Sequence, residues 1–242
     1  PQTIWEHLDE LRSSLIRMII AVAVCAVAAF CFKDALFGII LAPRQADFIT
    51  YRLLQRVAEY FSGAGEGSIM LPMDVRLINT GLAQQFLLHV KTSFYVGFML
   101  ALPYIIFLLF RFVSPALYDR ERHYAVQLVS SGYVMFMSGM LLSYFLIFPL
   151  TFRFLGTYQV SDVVENTVTI ESYIDTLLTI SLSMGLVFEI PVVCWIMGRM
   201  GIINAGMMRR YRRHVVVALL VVGAIITPTA DELGYYLWDV EY

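Results

Sequence analysis

The chain has 242 residues, of which 59% are hydrophobic and 15% charged, with a formal net charge of −2; soluble domains hold about 45–50% and about 25%. A globular core of this length cannot hide so much apolar surface, so disorder and an ordinary cytosolic enzyme are excluded and the bilayer is the expected solvent. The net charge is uninformative as a total, and its distribution has to be read instead.

The chain opens at Pro1, and acidic residues Glu6, Asp9 and Glu10 precede the first apolar run, so no cleavable signal peptide is expected there. Thr3 and Glu6 have the spacing of a capping box. Ile4, Leu8, Leu11 and Leu15 follow at i, i+4, i+7 and i+11, one apolar stripe, and Trp5 suits the headgroup region. Residues 1–14 therefore read as an amphipathic helix at the cytoplasmic surface that runs into the first span. Its polar face carries Glu6, Asp9, Glu10 and Arg12, which the residues alone allow to be a solvated face or a ligand surface.

A spanning helix needs about 20 apolar residues. The first predicted span runs from Leu15 to about Phe32 and ends at Lys33-Asp34. Residues 33–91 form a long segment of mixed charge. Within it, Phe48, Tyr51, Leu54, Val57 or Ala58, and Phe61 keep helical spacing and predict a surface helix, ended by Gly63-Ala-Gly-Glu-Gly67; Ile69 to Leu87 returns to the membrane. Span two is Phe94–Phe110, between Lys91 and Arg111. Span three is Tyr124–Phe152, without an ionised side chain. Span four is Thr176–Met197 and contains Glu189. Span five, Val215 to about Ala230, is short. Pro103 and Pro149 are expected to kink spans two and three. The 14 residues after Pro228 are broken by Asp231, Glu232, Asp239 and Glu241 and cannot cross.

Arginines set the direction. Arg12 and Arg17 precede span one, Arg111, Arg120 and Arg122 follow span two, and Arg199, Arg209, Arg210, Arg212 and Arg213 follow span four. The connection after span three has only Arg153 beside Asp162, Glu165, Glu171 and Asp175. Cytoplasmic loops concentrate Lys and Arg, so the N-terminus and the arginine-rich loops belong in the cytoplasm and residues 33–91 outside, in the periplasm.

Three places carry chemistry: the polar face of the first helix, the loop Phe112-Val-Ser-Pro-Ala-Leu-Tyr-Asp-Arg-Glu-Arg122, and Glu189. In the loop, Ser114-Pro115 forces a turn, and Glu121 lies on the same membrane side as Glu10. A bland alternative pairs Glu121 with Arg120 or Arg122. An intramembrane carboxylate such as Glu189 is a functional candidate by default, and Pro191 close by frees carbonyls there; a structural polar contact is the other reading. Cys25, Cys31 and Cys194 offer neither a disulfide framework nor a metal site.

His7-Leu8-Asp9-Glu10-Leu11-Arg12 resembles the opening His-Leu-x-Glu-Leu-Arg motif of the TatC family of twin-arginine protein translocation. Phe112-x-Ser-Pro115-Ala-Leu-Tyr-x-x-Glu121 is similar to that family's first cytoplasmic loop, and Phe188-Glu189-Ile190-Pro191 to its intramembrane Phe-Glu-x-Pro. Thr227-Pro228-Thr229-x-Asp231 resembles the turn after its fifth span, and Leu41-Ala42-Pro43 the turn after its first. These motifs stand in family order from about Ile4 to Asp231.

The resemblance implies an all-α polytopic membrane protein, a glove-shaped helical bundle of six spans with both ends in the cytoplasm. Five spans are visible in one membrane domain over residues 1–242, so a chain cut short before the sixth is expected; Tyr235 stands where many relatives have a polar amide. It implies a non-enzymatic receptor of the plasma (inner) membrane that binds twin-arginine signal peptides. Assembly with TatA, TatB and other copies of itself would follow, with folded proteins exported on the proton motive force. No cofactor, metal or nucleic acid is implied. Carried over by position, Glu10 and Glu121 receive the two arginines, Arg12 and Phe112 share that surface, and Glu189 faces the hollow where partner helices dock; Leu8, Pro43, Pro115, Pro191, Pro228 and Asp231 are further motif positions. The short fifth span would thin the bilayer locally. A secondary transporter with Glu189 as a coupling site near the midplane is the main rival. An intramembrane protease would need a motif that is absent, since His7, His89, His123 and His214 fall at span edges; a passive scaffold is the blandest reading.

Overall fold

The computed structural model describes residues 4–45, 47–62, 77–113, 125–157 and 167–199, together with the single residues 206, 213 and 217. The predicted fifth span and the Pro228–Asp231 turn lie outside the described residues.

Seven helices follow in order among them: α1 (Ile4–Cys31), α2 (Lys33–Leu41), α3 (Ile49–Ser62), α4 (Gln84–Val113), α5 (Ala125–Leu142), α6 (Phe148–Thr157) and α7 (Ile170–Arg199). A 3-10 turn at Ala42–Arg44 separates α2 from α3, and a π-helical turn at Ser143–Ile147 joins α5 to α6. Four stretches are long and apolar enough to cross a membrane: Leu11–Cys31, Gln84–Leu109, Val129–Thr157 and Ile170–Trp195. One departure from an all-α fold is a pair of two-residue strands, β1 (Leu77–Ile78) and β2 (Val168–Thr169), which run parallel and tie together the two long connections at one end of the bundle.

No Gly or Pro interrupts residues 4–31, and α1 is one helix across the expected boundary at residue 14. Its exposed apolar residues, among them Ile19, Val24 and Val27, form a lipid-facing surface too large for a soluble monomer.

The span starts differ from expectation. α4 begins at Gln84, so residues 84–91 of the long segment are its first turns, and α7 begins at Ile170 rather than Thr176. Lys91 Nζ and Asp175 Oδ1 meet at 2.7 Å, so each charge that would end an apolar window is answered by the other helix. The turn leading into α4 is tied to its first residue, Gln84, whose Oε1 accepts hydrogen bonds from the backbone N–H groups of Thr80 (3.1 Å) and Gly81 (3.0 Å). His89 lies two residues before Lys91, near the start of α4. It is buried in α4, stacked on Phe30 of α1 with ring centroids 4.0 Å apart and edge-on to Phe37 of α2 at 5.6 Å.

α1 and α4 run antiparallel and touch backbone to backbone. A Cβ at Gly97 would come 2.4 Å from the Ala26 amide nitrogen and 2.5 Å from its Cα. Counted residue for residue from that contact, Lys91 is level with the end of α1, beside Lys33 and Asp34, while residues 111–113 are level with 10–12. Twenty residues separate Lys91 from Arg111, about 30 Å of helix, the thickness of the hydrocarbon core. α5 and α7 interlock in the same way: Gly139 lies under the Met184 carbonyl, and Gly185 under the Phe136 ring.

Pro149 explains the break in span three. A proline lacks an N–H and its ring collides with the carbonyl four residues back, here that of Phe145. The π turn makes room, and the freed Phe145 carbonyl accepts a hydrogen bond from the buried Thr50 hydroxyl at the start of α3. The Tyr51 hydroxyl donates to the Pro149 carbonyl at 3.1 Å, and burial raises its pKa. Pro103 sits within an uninterrupted α4. The main core lies beside this break: Leu36 and Ile40 of α2, Leu88 of α4, Phe148 and Phe152 of α6, and Tyr173, Ile174, Leu177 and Leu178 of α7. The Phe148 and Tyr173 rings pack edge to face at 5.1 Å, and the Tyr173 hydroxyl donates to the Ile40 carbonyl at 3.0 Å.

Candidate functional site

The end of the bundle where α1 starts also holds the end of α4, the start of α5 and the end of α7. Leu8 and Glu10 belong to the first turns of α1, where only their backbone is described. Arg12, one half-turn on, is exposed. On α4, Arg111 is exposed and Phe112 half-buried in the last turn. The Gly97–Ala26 contact sets these residues level with one another, so the antiparallel pair brings Arg12 and Phe112, a hundred residues apart in the chain, to one end of the bundle. Pro115 and Glu121 lie outside the described residues, in the connection that leaves α4 at Val113 and enters α5 at Ala125. Both of its anchors are at this same end.

Glu189 is half-buried on α7. Its carboxylate lies against α5, where a Cβ at Gly132 would come 3.4 Å from Oε2 and 3.3 Å from Ile106 Cδ1 of α4. Gly132 thus makes the room that the carboxylate occupies, and Oε1 is buried without a hydrogen-bond partner among the described residues. Fourteen residues separate Glu189 from Asp175, about 21 Å of helix. With about 30 Å of hydrocarbon starting at Asp175, Glu189 sits in the third nearest the α1 start, not at the midplane. The coupling-ion reading rested on a midplane position. Pro191 is exposed within an unbroken α7, and Pro43 is buried in the turn after α2.

Reading the sequence missed Gly132 as the neighbour of Glu189 and Gly97 as the pivot between α1 and α4. The small residues were visible, but each acts on a helix far away in sequence. Among the described residues no cluster of His, Cys, Asp and Glu could hold a metal ion.

The family profile of the Sec-independent protein translocase protein TatC matches residues 6–239. This chain belongs to the TatC family. The TatC protein of Blattabacterium sp. subsp. Periplaneta americana is 31% identical over 225 residues, covering 93% of this chain and 85% of the relative. That of Escherichia coli K12 is 31% identical over 227 residues, covering 94% and 79%. A crystal structure of the twin-arginine translocase receptor TatC superposes with a TM-score of 0.71 at 29% identity, covering 92% of this chain and 88% of that one. A second TatC structure, in the detergent DDM, gives 0.72 at 28%. TatC membership makes the chain a component of a Sec-independent protein translocase rather than a catalyst, and its apolar helices make it a multi-pass membrane protein.

Proposed function

We propose that this TatC-family chain is the receptor subunit that binds twin-arginine signal peptides at the cytoplasmic face of the inner membrane. Glu10 and Glu121 grip the two guanidinium groups, and Arg12 and Phe112 complete the surface. TatA, TatB and further copies of the chain then assemble on it, and the proton motive force drives export of folded proteins. The observation that carries this reading is the antiparallel pairing of α1 and α4. The start of α1 and the end of α4, where the connection bearing Glu121 begins, share one end of the bundle.

The distribution of arginine supports the orientation. Among the described residues Arg12, Arg17, Arg111 and Arg199 fall at the α1-start end; in sequence Arg120 and Arg122 follow α4 and Arg209, Arg210, Arg212 and Arg213 follow α7, and arginine-rich loops stay in the cytoplasm. The β1–β2 end is then periplasmic. Glu189, in the cytoplasmic third against Gly132, is the polar contact offered to partner helices in the hollow of the bundle.

The chemistry needs guanidinium. Its planar fork gives a carboxylate two parallel charged bonds, whereas an ammonium is a point charge without that geometry. A hydrogen bond to a charged group is worth about 1.5–3 kcal/mol net, and 1.4 kcal/mol is tenfold in affinity. An Arg-Arg signal peptide should therefore bind the detergent-solubilised chain at least about tenfold more tightly than its Lys-Lys twin. Fluorescence anisotropy of labelled peptides measures this, and equal dissociation constants overturn the proposal.

A further inference from the structure

We propose that α3 is an interfacial helix that embeds one side in the outer leaflet and holds the broken part of span three at the lipid–water boundary. α3 carries three distinct faces. Thr50 and Tyr51 are buried against span three, and Leu54 is half-buried. Arg52, Gln55 and Arg56 form an exposed polar face, with Arg52 paired to Asp47 through an Nε–Oδ1 bond of 2.9 Å. Between them runs an exposed apolar stripe at i, i+4 and i+8: Ile49 is 65% exposed, Leu53 59% and Val57 46%. On a wheel of 100° per residue, the stripe adjoins the protein-facing side at one edge and Arg56 at the other. A helix standing free in water has no reason to be apolar on an exposed side. A helix resting at a junction of protein, lipid and water has this arrangement.

The height at which α3 docks decides between water and lipid. Its first turn is fastened to the Phe145 and Pro149 carbonyls, and its flanking Phe48 stacks on the Phe145 ring with centroids 5.7 Å apart. Phe148 packs on Tyr173 at 5.1 Å, and Ser143 Oγ lies 3.4 Å from Ser181 Oγ. The Phe145–Pro149 stretch is therefore level with Asp175, which lies between those two α7 positions. Asp175 pairs with Lys91, and the same level carries Lys33 and Asp34. These charges mark one edge of the hydrocarbon, about 30 Å from Arg111. α3 is attached at that edge, not at the tip of the bundle, which continues along α6 to Thr157. Beside its attachment the lipid-facing side of span three is itself apolar, with Phe145, Leu146 and Leu150 exposed, so the α3 stripe prolongs a surface already facing acyl chains. Arg52 and Arg56 then stand at phosphate height. The anchor also serves the break: the hydroxyl that satisfies the carbonyl orphaned by Pro149 belongs to a helix held in place by lipid.

The test uses the full chain in vesicles of phosphatidylethanolamine and phosphatidylglycerol, with Cys25, Cys31 and Cys194 replaced and one spin label at position 53, 55 or 57. Labels at Leu53→Cys and Val57→Cys are expected to collide with oxygen and to meet a water-soluble nickel chelate at least threefold less often than a label at Gln55→Cys. Nickel access equal to that at Gln55→Cys overturns the proposal in favour of water. Shielding from both reagents overturns it in favour of a protein partner or a second copy. If the cysteine-free chain does not fold, Leu53→Trp and Gln55→Trp in the native-cysteine chain are compared in brominated lipid. Stronger quenching at position 53 is the expected result, and equal quenching contradicts the proposal.

Discussion

Glu10→Ala and Glu121→Ala are each expected to weaken binding of an Arg-Arg signal peptide roughly 10- to 100-fold, because each removes one charged grip worth about 1.5–3 kcal/mol. The melting temperature of each variant is measured alongside, so that a loss of affinity is read against a folded chain. Glu10→Gln and Glu121→Gln keep an acceptor but lose the charge and one arm of the fork, so intermediate losses are expected. The double alanine variant separates two geometries. If each carboxylate holds its own arginine, the two losses add in free energy; if both hold the same one, the second substitution adds little. Titrations of the purified variants with labelled peptide measure all of this. Full affinity in either alanine variant removes that residue from the site.

Gly97→Leu is expected to have the largest structural effect of any single substitution at the α1–α4 contact. The nearest atoms a Cβ would meet there are the backbone nitrogen and Cα of Ala26, at 2.4 and 2.5 Å, with the Ala26 Cβ next at 2.7 Å. Backbone cannot rotate away as a side chain can, so α1 must move as a whole. Over-packing costs about 1–3 kcal/mol even for a modest insertion, and Gly97→Ala should already fall in that range by unfolding of the solubilised chain. Gly97→Leu should also displace residues 10–12 from the level of 111–113 and reduce signal-peptide affinity at a distance from the peptide. Ala26→Gly should not restore either property, because the obstruction is main chain. Rescue by Ala26→Gly would show that the side chain at 26, not the helix separation, is what matters.

The first four spans were legible because apolar runs of bilayer length have few other uses, and so was α3, whose spacing of Phe48, Tyr51 and Leu54 appears in the structure one residue off, at Ile49–Ser62. The starts of α4 and α7 were not legible. A hydropathy window sees Lys91 as a lone charge and cannot know that Asp175, 84 residues later, will stand 2.7 Å away. Pro149 announced a bend, but the π turn and the capture of the Phe145 carbonyl by Thr50 depend on a helix 95 residues earlier. The stacking of His89 on Phe30, 59 residues earlier, was not legible either. At the candidate site, residue type and motif order pointed to Glu10, Arg12, Phe112, Glu121 and Glu189. The levelling of Arg12 with Phe112 came from Gly97, whose only sequence signal was its smallness. Pro115, Glu121, Pro228 and Asp231 lie outside the described residues, and their roles rest on the family motif and on topology.

The distance between positions 10 and 121 in the peptide-bound receptor tests the receptor claim most directly. Adjacent arginines of one peptide have Cα atoms 3.8 Å apart, so carboxylates that hold both must lie on one membrane face, closer together than the bilayer is thick. Pulsed electron–electron resonance on labels at the flanking positions Asp9→Cys and Arg120→Cys, which leave both carboxylates in place, in a chain with Cys25, Cys31 and Cys194 replaced, gives that separation once label tethers are allowed for. A short, narrow distribution on the face reached by a cytoplasmic-side reductant is the predicted result. A separation near the membrane thickness of about 30 Å, or labels reduced from opposite faces, contradicts it.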